Sequence, residues 1–246
     1  MNYPILILLV SFLALSAAAR MGAGRSGGIE KIHEDLDVIY GAVLTLFGLI
    51  VGFTFSMAVS RYDQRKLYEE EEANAIGTEY LRADFLSSPA SENVRTLLRQ
   101  YLDQRVLFYE ARNPDRLKQI NLTTSQLQTK LWSTVKSPSL TQQTPVQALV
   151  ISGMNDVLNS QGYTQASWWN RIPAQAWVLM GVMGLCGTFM VGLHLPHVRT
   201  NSVLLIVFPA IISLAFFLIA DIDSPNGGLI RVAPINLVSL AESLGP

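Results

Sequence analysis

The fold of this chain is decided by residues 38–60, VIYGAVLTLFGLIVGFTFSMAVS, a stretch that contains no charged residue. A helix rises about 1.5 Å per residue, so roughly 20 apolar residues cross the ~30 Å hydrocarbon layer of a bilayer. A charged residue at the centre of such a helix would cost about 2.5–3.5 kcal/mol. The stretch therefore predicts a membrane-spanning helix over Val38–Val59.

Three further charge-free stretches are long enough, or nearly so, to cross a bilayer. They are Tyr3–Ala19, Ala174–Leu193 and Ser202–Ala220. The first ends in Ala17-Ala18-Ala19, which also fits a cleaved signal peptide, but it lacks the basic start that a signal peptide carries, so a retained span is favoured. Pro209 predicts a kink in the last stretch, which a neighbouring helix must stabilise.

The composition excludes an ordinary soluble protein. Hydrophobic residues make up 50% of the chain and charged residues 15%, and the mean hydropathy is +0.30. The formal net charge of -1 lacks the basic surplus of a nucleic-acid-binding protein. We therefore expect the lipid bilayer as a partner and no nucleic acid.

A polar insert separates the second and third spans. Residues 61–172 hold 13 of the 18 basic and 12 of the 19 acidic residues, so this region faces water. We predict two spans with a Gly-rich connection in 1–60, an extramembrane domain in 61–172, a transmembrane hairpin in 173–221 and a short tail in 222–246. Basic residues near the spans are equally divided between the two sides, so charge alone does not orient the chain.

The insert is predicted to be helical. Apolar residues recur at helical spacing in three stretches: Val94, Leu97, Leu98, Tyr101 and Leu102; Leu117, Ile120, Leu127, Leu131 and Val135; Val146, Leu149, Val150, Met154 and Val157. Pro89 predicts the end of one helix before Ser91 begins the next, and Thr144-Pro145 is typical of a helix start. The predicted fold is all-α: a polytopic membrane protein with four transmembrane helices and a helical insert between spans two and three.

One face of the second span is a candidate functional surface. Thr45, Leu49 and Phe53 follow one another at intervals of four residues, and Ser56 continues the stripe. Two interpretations fit this pattern. The stripe lines a pore, or it packs against other helices in the ordinary way.

An acidic run follows the second span. Glu69 and Glu72 share a helix face, and Arg61 and Arg65 lie one to three turns earlier. We predict that these four residues take part in structural ion pairs with neighbouring helices. Simple solvation of the run and a calcium or regulatory site are the alternatives.

Few side chains suggest catalysis or metal binding. His194 and His197 have no third ligand nearby, and Asp221 and Asp223 close the fourth span, where carboxylates are usual. Cys186 lies within an apolar span. We predict no metal site, no cofactor and no enzymatic activity.

Several motifs resemble the bacterial bestrophin-like-domain family. They are GLIVGFTFSMAVSRYDQR over 48–65, EANAIGT over 72–78, SGMND over 152–156, WWNRIP over 168–173 and DIDSP over 221–225. The stretch that ends in Ser60-Arg61 is also similar, more distantly, to the pore helix of the bestrophin anion channels.

The resemblance to bestrophins implies a pentameric anion channel with four spans per subunit and with both termini and the insert in the cytoplasm. It places the neck of the pore at Thr45, Leu49 and Phe53. The chain departs from the bestrophin pattern at Thr45, which replaces a large apolar residue, and at Tyr62-Asp63, which replaces paired tryptophans. The long acidic clasp that binds calcium has no counterpart in the short tail, so the resemblance does not extend to calcium gating.

Two functions from different classes fit these observations. The first is a homo-oligomeric, anion-permeable channel in the bacterial cytoplasmic membrane, lined by the second span, with a small anion as its ligand. The second is a non-conducting membrane scaffold or signalling protein whose insert binds a protein partner.

Overall fold

The computed structural model of the protein describes residues 3–25, 33–139, 144–194 and 203–245. Within these ranges the regular secondary structure is entirely helical, with no strand. The α-helices are α1 Tyr3–Ala23, α2 His33–Arg82, α3 Ser88–Glu110, α4 Pro114–Ser139, α5 Pro145–Trp169, α6 Ala174–His194, α7 Leu204–Asp223 and α8 Ile235–Ser243; a 3-10 turn, Ala83–Phe85, follows α2.

Four of the described helices are long and apolar enough to cross a membrane, and their apolar segments lie in α1, α2, α6 and α7. The prediction of an all-α chain with four transmembrane helices is therefore confirmed. The connections at 26–32 and 195–202, which include Gly27, Gly28, His197 and Ser202, lie outside the described residues.

The described helices form two compact units. The first comprises Met1–Tyr62 and Arg171–Arg231, and the second comprises Asp63–Asn170 and Val232–Pro246. Helix α2 contributes its long apolar segment to the first unit and its charged segment after Tyr62 to the second.

In the first unit α1 packs against both α6 and α7, and residues of α2 join the shared apolar core. This core includes Leu15 of α1, Phe47 of α2, Met180 of α6 and Phe216 of α7, all of them buried. The rings of Phe47 and Phe216 meet edge to face with their centroids 6.3 Å apart. Pro209 lies inside α7 and is buried. Burial fits the expectation that neighbouring helices satisfy the backbone carbonyl that a proline leaves without a hydrogen bond.

Glycines let α1 and α6 approach each other backbone to backbone. A methyl group added at Gly22 would overlap the carbonyl oxygen of Phe189, and one added at Gly192 would overlap the carbonyl oxygen of Ala19. Between helices in lipid there is little hydrophobic driving force, so close van der Waals contact at small residues holds them together. Gly181, on the same helix as Gly192, has open space around it.

The second unit is a helical bundle formed by α3, α4, α5, α8 and the part of α2 after Tyr62. The predicted stripes supply its core, which includes Val94, Leu98, Leu131 and Met154. Leu117 is only partly buried, and Val146 and Leu149 are exposed at the start of α5.

Local signals set the helix starts in this bundle. Thr144 accepts a hydrogen bond from the backbone N–H of Gln147 at 3.3 Å and so caps α5, as predicted. The prediction for Pro89 was wrong, because α3 begins at Ser88 and Pro89 lies in its first turn. Proline is tolerated there because the first N–H groups of a helix have no partner within the helix.

We predict that Gly192→Ala destabilises the protein by about 1–3 kcal/mol, because the new methyl group forces α1 and α6 apart. Reversible unfolding in mixed detergent and denaturant, followed by circular dichroism, measures the loss. The matched control is Gly181→Ala, which adds the same methyl group to the same helix in open space. Equal effects of the two substitutions would contradict the proposed contact.

Candidate functional site

The predicted stripe on α2 lies on the surface of the protomer. Thr45, Leu49, Phe53 and Ser56 are all exposed, with Leu49 at 52% and Phe53 at 65%. The Thr45 hydroxyl donates to the carbonyl of Gly41 at 2.8 Å, so its hydrogen-bonding demand is met within the helix. No residue of the same protomer covers this face within the described ranges.

Glycines lie beside this stripe on the same exposed face of α2. Methyl groups added at Gly41, Gly48 or Gly52 would meet no atom within 4 Å. The opposite face of α2 is packed, with Phe47, Thr54 and Ala58 buried in the first unit. Helix α2 therefore presents one packed face and one open, uncharged face.

The acidic run after the span holds buried carboxylates. Glu72 is completely buried and forms an ion pair with Arg105 of α3, which is also completely buried. The Glu72 carboxylate also accepts hydrogen bonds from the hydroxyls of Thr164 at 3.2 Å and Tyr109 at 3.5 Å. These contacts join α2, α3 and α5 within the second unit.

The charge of Glu72 shapes the titration of its neighbours. Burial by itself would lower the pKa of Arg105, but the adjacent Glu72 carboxylate raises it above its ordinary value. Burial raises the pKa of the Tyr109 hydroxyl, and the charge of Glu72 raises it further. Tyr109 therefore keeps its proton and acts as a hydrogen-bond donor.

Glu69 forms hydrogen bonds with the first residues of α8. Its carboxylate accepts hydrogen bonds from the backbone N–H groups of Asn236 and Leu237, both at 2.9 Å, and from the side-chain amide of Asn236 at 2.6 Å. A carboxylate is favourable there because the first N–H groups of α8 lack partners within the helix. At the other end of α8, Arg99 donates to the carbonyl of Leu244 at 2.8 Å.

The two arginines of the predicted ion-pair set also lie on α2. Arg65 is 3% exposed and Arg61 is partly buried. The sequence grouped them with Glu69 and Glu72, whereas the partner that the structure gives Glu72 is Arg105. The sequence contained a signal that Arg105 is buried and paired. It lies three and four residues after Leu102 and Tyr101, on the same apolar helix face, and a charged residue buried there needs a partner.

A third buried acid, Glu79, was not singled out from the sequence. It is fully buried in the protomer, and neither carboxylate oxygen has a hydrogen-bond partner in the described structure. Gly153 of α5 makes room for it, because a methyl group there would overlap Glu79 and Arg82. Burial raises the pKa of Glu79 to about 8; Arg82 lowers it and Asp156 raises it, each by less than burial does.

The carboxylates that close α7 serve the backbone. Asp221 accepts hydrogen bonds from the N–H groups of Leu229 and Ile230, the shortest at 2.8 Å. Asp223 accepts one from the N–H of Ile172, shared between its two oxygens at 3.2 and 3.3 Å. Among the described residues no cluster of three His, Cys, Asp or Glu side chains could hold a metal ion.

The fold and the surface of α2 define a polytopic helical membrane protein. The family model of the Bestrophin-like domain matches residues 5–237, so the chain belongs to the bestrophin-like family. A search of curated proteins finds no match.

Solved structures share the fold. A variant of a bacterial bestrophin homologue from Klebsiella pneumoniae is 10% identical, with a TM-score of 0.68, over 99% of this chain and 96% of its own. A second variant from that organism is 12% identical, with a TM-score of 0.63 and coverages of 98% and 97%. A structure described as a membrane protein is 13% identical, with the same TM-score and coverages.

We predict that Glu72→Gln destabilises the second unit by about 3–5 kcal/mol, because it leaves the Arg105 charge buried without a counter-charge. Denaturant unfolding of the purified protein measures the change. The control is Asp84→Asn, which breaks the exposed pair between Asp84 and Arg95 and should cost at most about 1 kcal/mol. Comparable losses of unfolding free energy in both variants would show that the buried pair contributes no more to stability than the exposed pair.

The raised pKa of Glu79 predicts a pH-dependent stability. The folded protein retains this proton up to about pH 8, whereas the unfolded chain releases it near 4.5. The contribution of Glu79 to stability is therefore fully present below pH 4.5 and is lost as the pH rises toward 8. Melting temperatures at pH 5, 6.5 and 8 test this.

Glu79→Gln should remove that part of the pH dependence and should be more stable than the unmodified protein at pH 8. Glu70→Gln, at an exposed position on the same helix, is the control and should follow the unmodified protein at every pH. A Glu79→Gln variant with an unchanged pH profile would contradict the assignment.

Proposed function

We propose that the protein is a homo-oligomeric, anion-permeable channel of the bacterial cytoplasmic membrane, with α2 around the central axis. The observation that carries the proposal is the open face of α2, with Thr45, Leu49, Phe53 and Ser56 exposed in the protomer. A transmembrane helix that buries one face and leaves a glycine-rich opposite face uncovered is suited to meeting copies of itself.

One protomer supplies one such face, so a pore needs a closed ring of subunits. By the resemblance to bestrophins, we propose five subunits with the insert in the cytoplasm. Each subunit contacts the next head to tail, so the same two patches repeat around the ring. A single protomer does not conduct.

The chemistry of the stripe favours anions over cations. Leu49 and Phe53 form an apolar constriction, which gates by losing its water. The edge of a phenylalanine ring is electropositive and attracts an anion that passes it. Residues 38–60 contain no carboxylate that could form the acidic ring of a cation channel.

The proposal includes neither a catalytic step nor calcium gating. The carboxylates at the end of α7, Asp221 and Asp223, accept hydrogen bonds from backbone N–H groups. Both carboxyl groups therefore stabilise the local backbone through these hydrogen bonds.

A non-conducting scaffold is the alternative. The insert exposes large apolar side chains, among them Leu122 of α4 at 58% and Trp169 of α5 at 75%. Exposed aromatic and aliphatic groups of this kind are found where proteins bind partners. This alternative needs no pore, so it is separated from the channel by a flux measurement.

We predict that Phe53→Ala increases chloride efflux from liposomes that contain the purified protein several-fold, because it removes a bulky apolar group from the constriction. The matched control is Phe55→Ala, which removes the same ring two residues away, on a different face of α2. Efflux from liposomes loaded with potassium chloride is followed with a chloride electrode after valinomycin is added, so that potassium leaves with the chloride and the charge stays balanced.

Equal efflux from both variants would place Phe53 away from the ion path. The absence of chloride flux across a range of pH, with a stable monomer by light scattering in detergent, would overturn the channel proposal. Absence of flux from an intact oligomer would favour the scaffold.

A further inference from the structure

A cleft opens at one end of the first unit, where three helices begin or end. Its volume is about 450 Å³, within the range of small-ligand sites. Tyr3 begins α1, Ala174 begins α6 and Asp223 ends α7, so the cleft lies where apolar helix segments give way to polar chain. Lipid headgroups occupy that level of a membrane. The pore proposal does not use this cleft.

Arg171 is the cation of the cleft. Its guanidinium donates to the backbone carbonyl of Asp223 at 2.7 Å, which fixes its position beside the end of α7. A guanidinium carries five N–H donors, so one hydrogen bond leaves others for a ligand. Arginine is suited to phosphate because its planar donors match two phosphate oxygens.

The other lining groups complete a headgroup site. Trp177 and Tyr3 are the amphipathic aromatic residues that proteins place at the membrane interface. The Ser224 hydroxyl adds a small polar group. Asp223 also lines the cleft, and Arg171 and Asp223 together are formally neutral.

We propose that this cleft binds the headgroup of phosphatidylethanolamine, with its phosphate on Arg171 and its ammonium group toward Asp223. A neutral pair of opposite charges fits a headgroup that carries both charges better than one that carries only a negative charge. Tyr3 and Trp177 also line the cleft, and aromatic rings attract cations such as the ammonium group.

The surface next to the cleft suits the acyl chains of the same lipid. Leu6 follows Tyr3 by one turn on α1 and is 39% exposed, and Val178 follows Ala174 by one turn on α6 and is 65% exposed. A lipid seated by its headgroup can lay its chains along these side chains. This contact separates a phospholipid from free phosphate, which makes only the polar contacts.

Native mass spectrometry tests the proposal on the full chain in detergent, with dihexanoyl-phosphatidylethanolamine as the probe. We expect Arg171→Gln to weaken binding at least several-fold, because it removes the charge that holds the phosphate. The matched control is Arg20→Gln, which removes an exposed guanidinium at the far end of α1 and should bind as the unmodified protein does.

Tyr3→Leu gives a second measurement that does not involve the hydrogen bond between Arg171 and Asp223. Tyr3 is 58% exposed, so its replacement leaves the core intact, and we expect weaker binding of the same lipid. Unchanged binding by this variant, or by folded Arg171→Gln, would overturn the site. Equal affinity for inorganic phosphate would overturn the lipid as its occupant, and tighter binding of dihexanoyl-phosphatidylglycerol would overturn the ethanolamine headgroup.

Discussion

Hydrocarbon does not solvate charge, and this constraint divides α2 into two chemically different halves. Between Val38 and Ser60, Tyr40 is the only ionisable residue. Beyond Ser60, charged residues are frequent, and those that become buried must find counter-charges or hydrogen bonds. Glu72 meets this requirement with Arg105, and Glu69 meets it with the first amides of α8.

The two units are held together internally by different forces. The second unit buries a continuous apolar core away from water and ties its helices with the polar contacts of Glu72. The first unit gains little from the hydrophobic effect between helices in lipid, so the closeness of α1 to α6 at Gly22 and Gly192 has a larger share of its stability. The face of α2 that contains Gly48 and Gly52 has the same small-residue chemistry with no contact inside the protomer.

The spans could be predicted from the sequence because length and absence of charge are enough to identify them. Apolar spacing likewise placed much of the buried faces of α3, α4 and α5. The partner of Glu72 could not be found in this way, because Arg105 is 33 residues away and only the packing of α3 on α2 brings the two together. For Glu79 the missing information was the position of Gly153, which lies on another helix.

The position of α8 at the end of the described chain affects when the second unit can finish folding. Its Leu237 is fully buried in the second unit, and its first amides satisfy a carboxylate of α2. These groups are translated after every other helix described for this unit, yet Glu69 needs them as hydrogen-bond donors. Until α8 has been synthesised, Glu69 lacks these donors and the position that Leu237 fills in the apolar core stays uncovered, so the nascent bundle exposes apolar surface to chaperones and proteases.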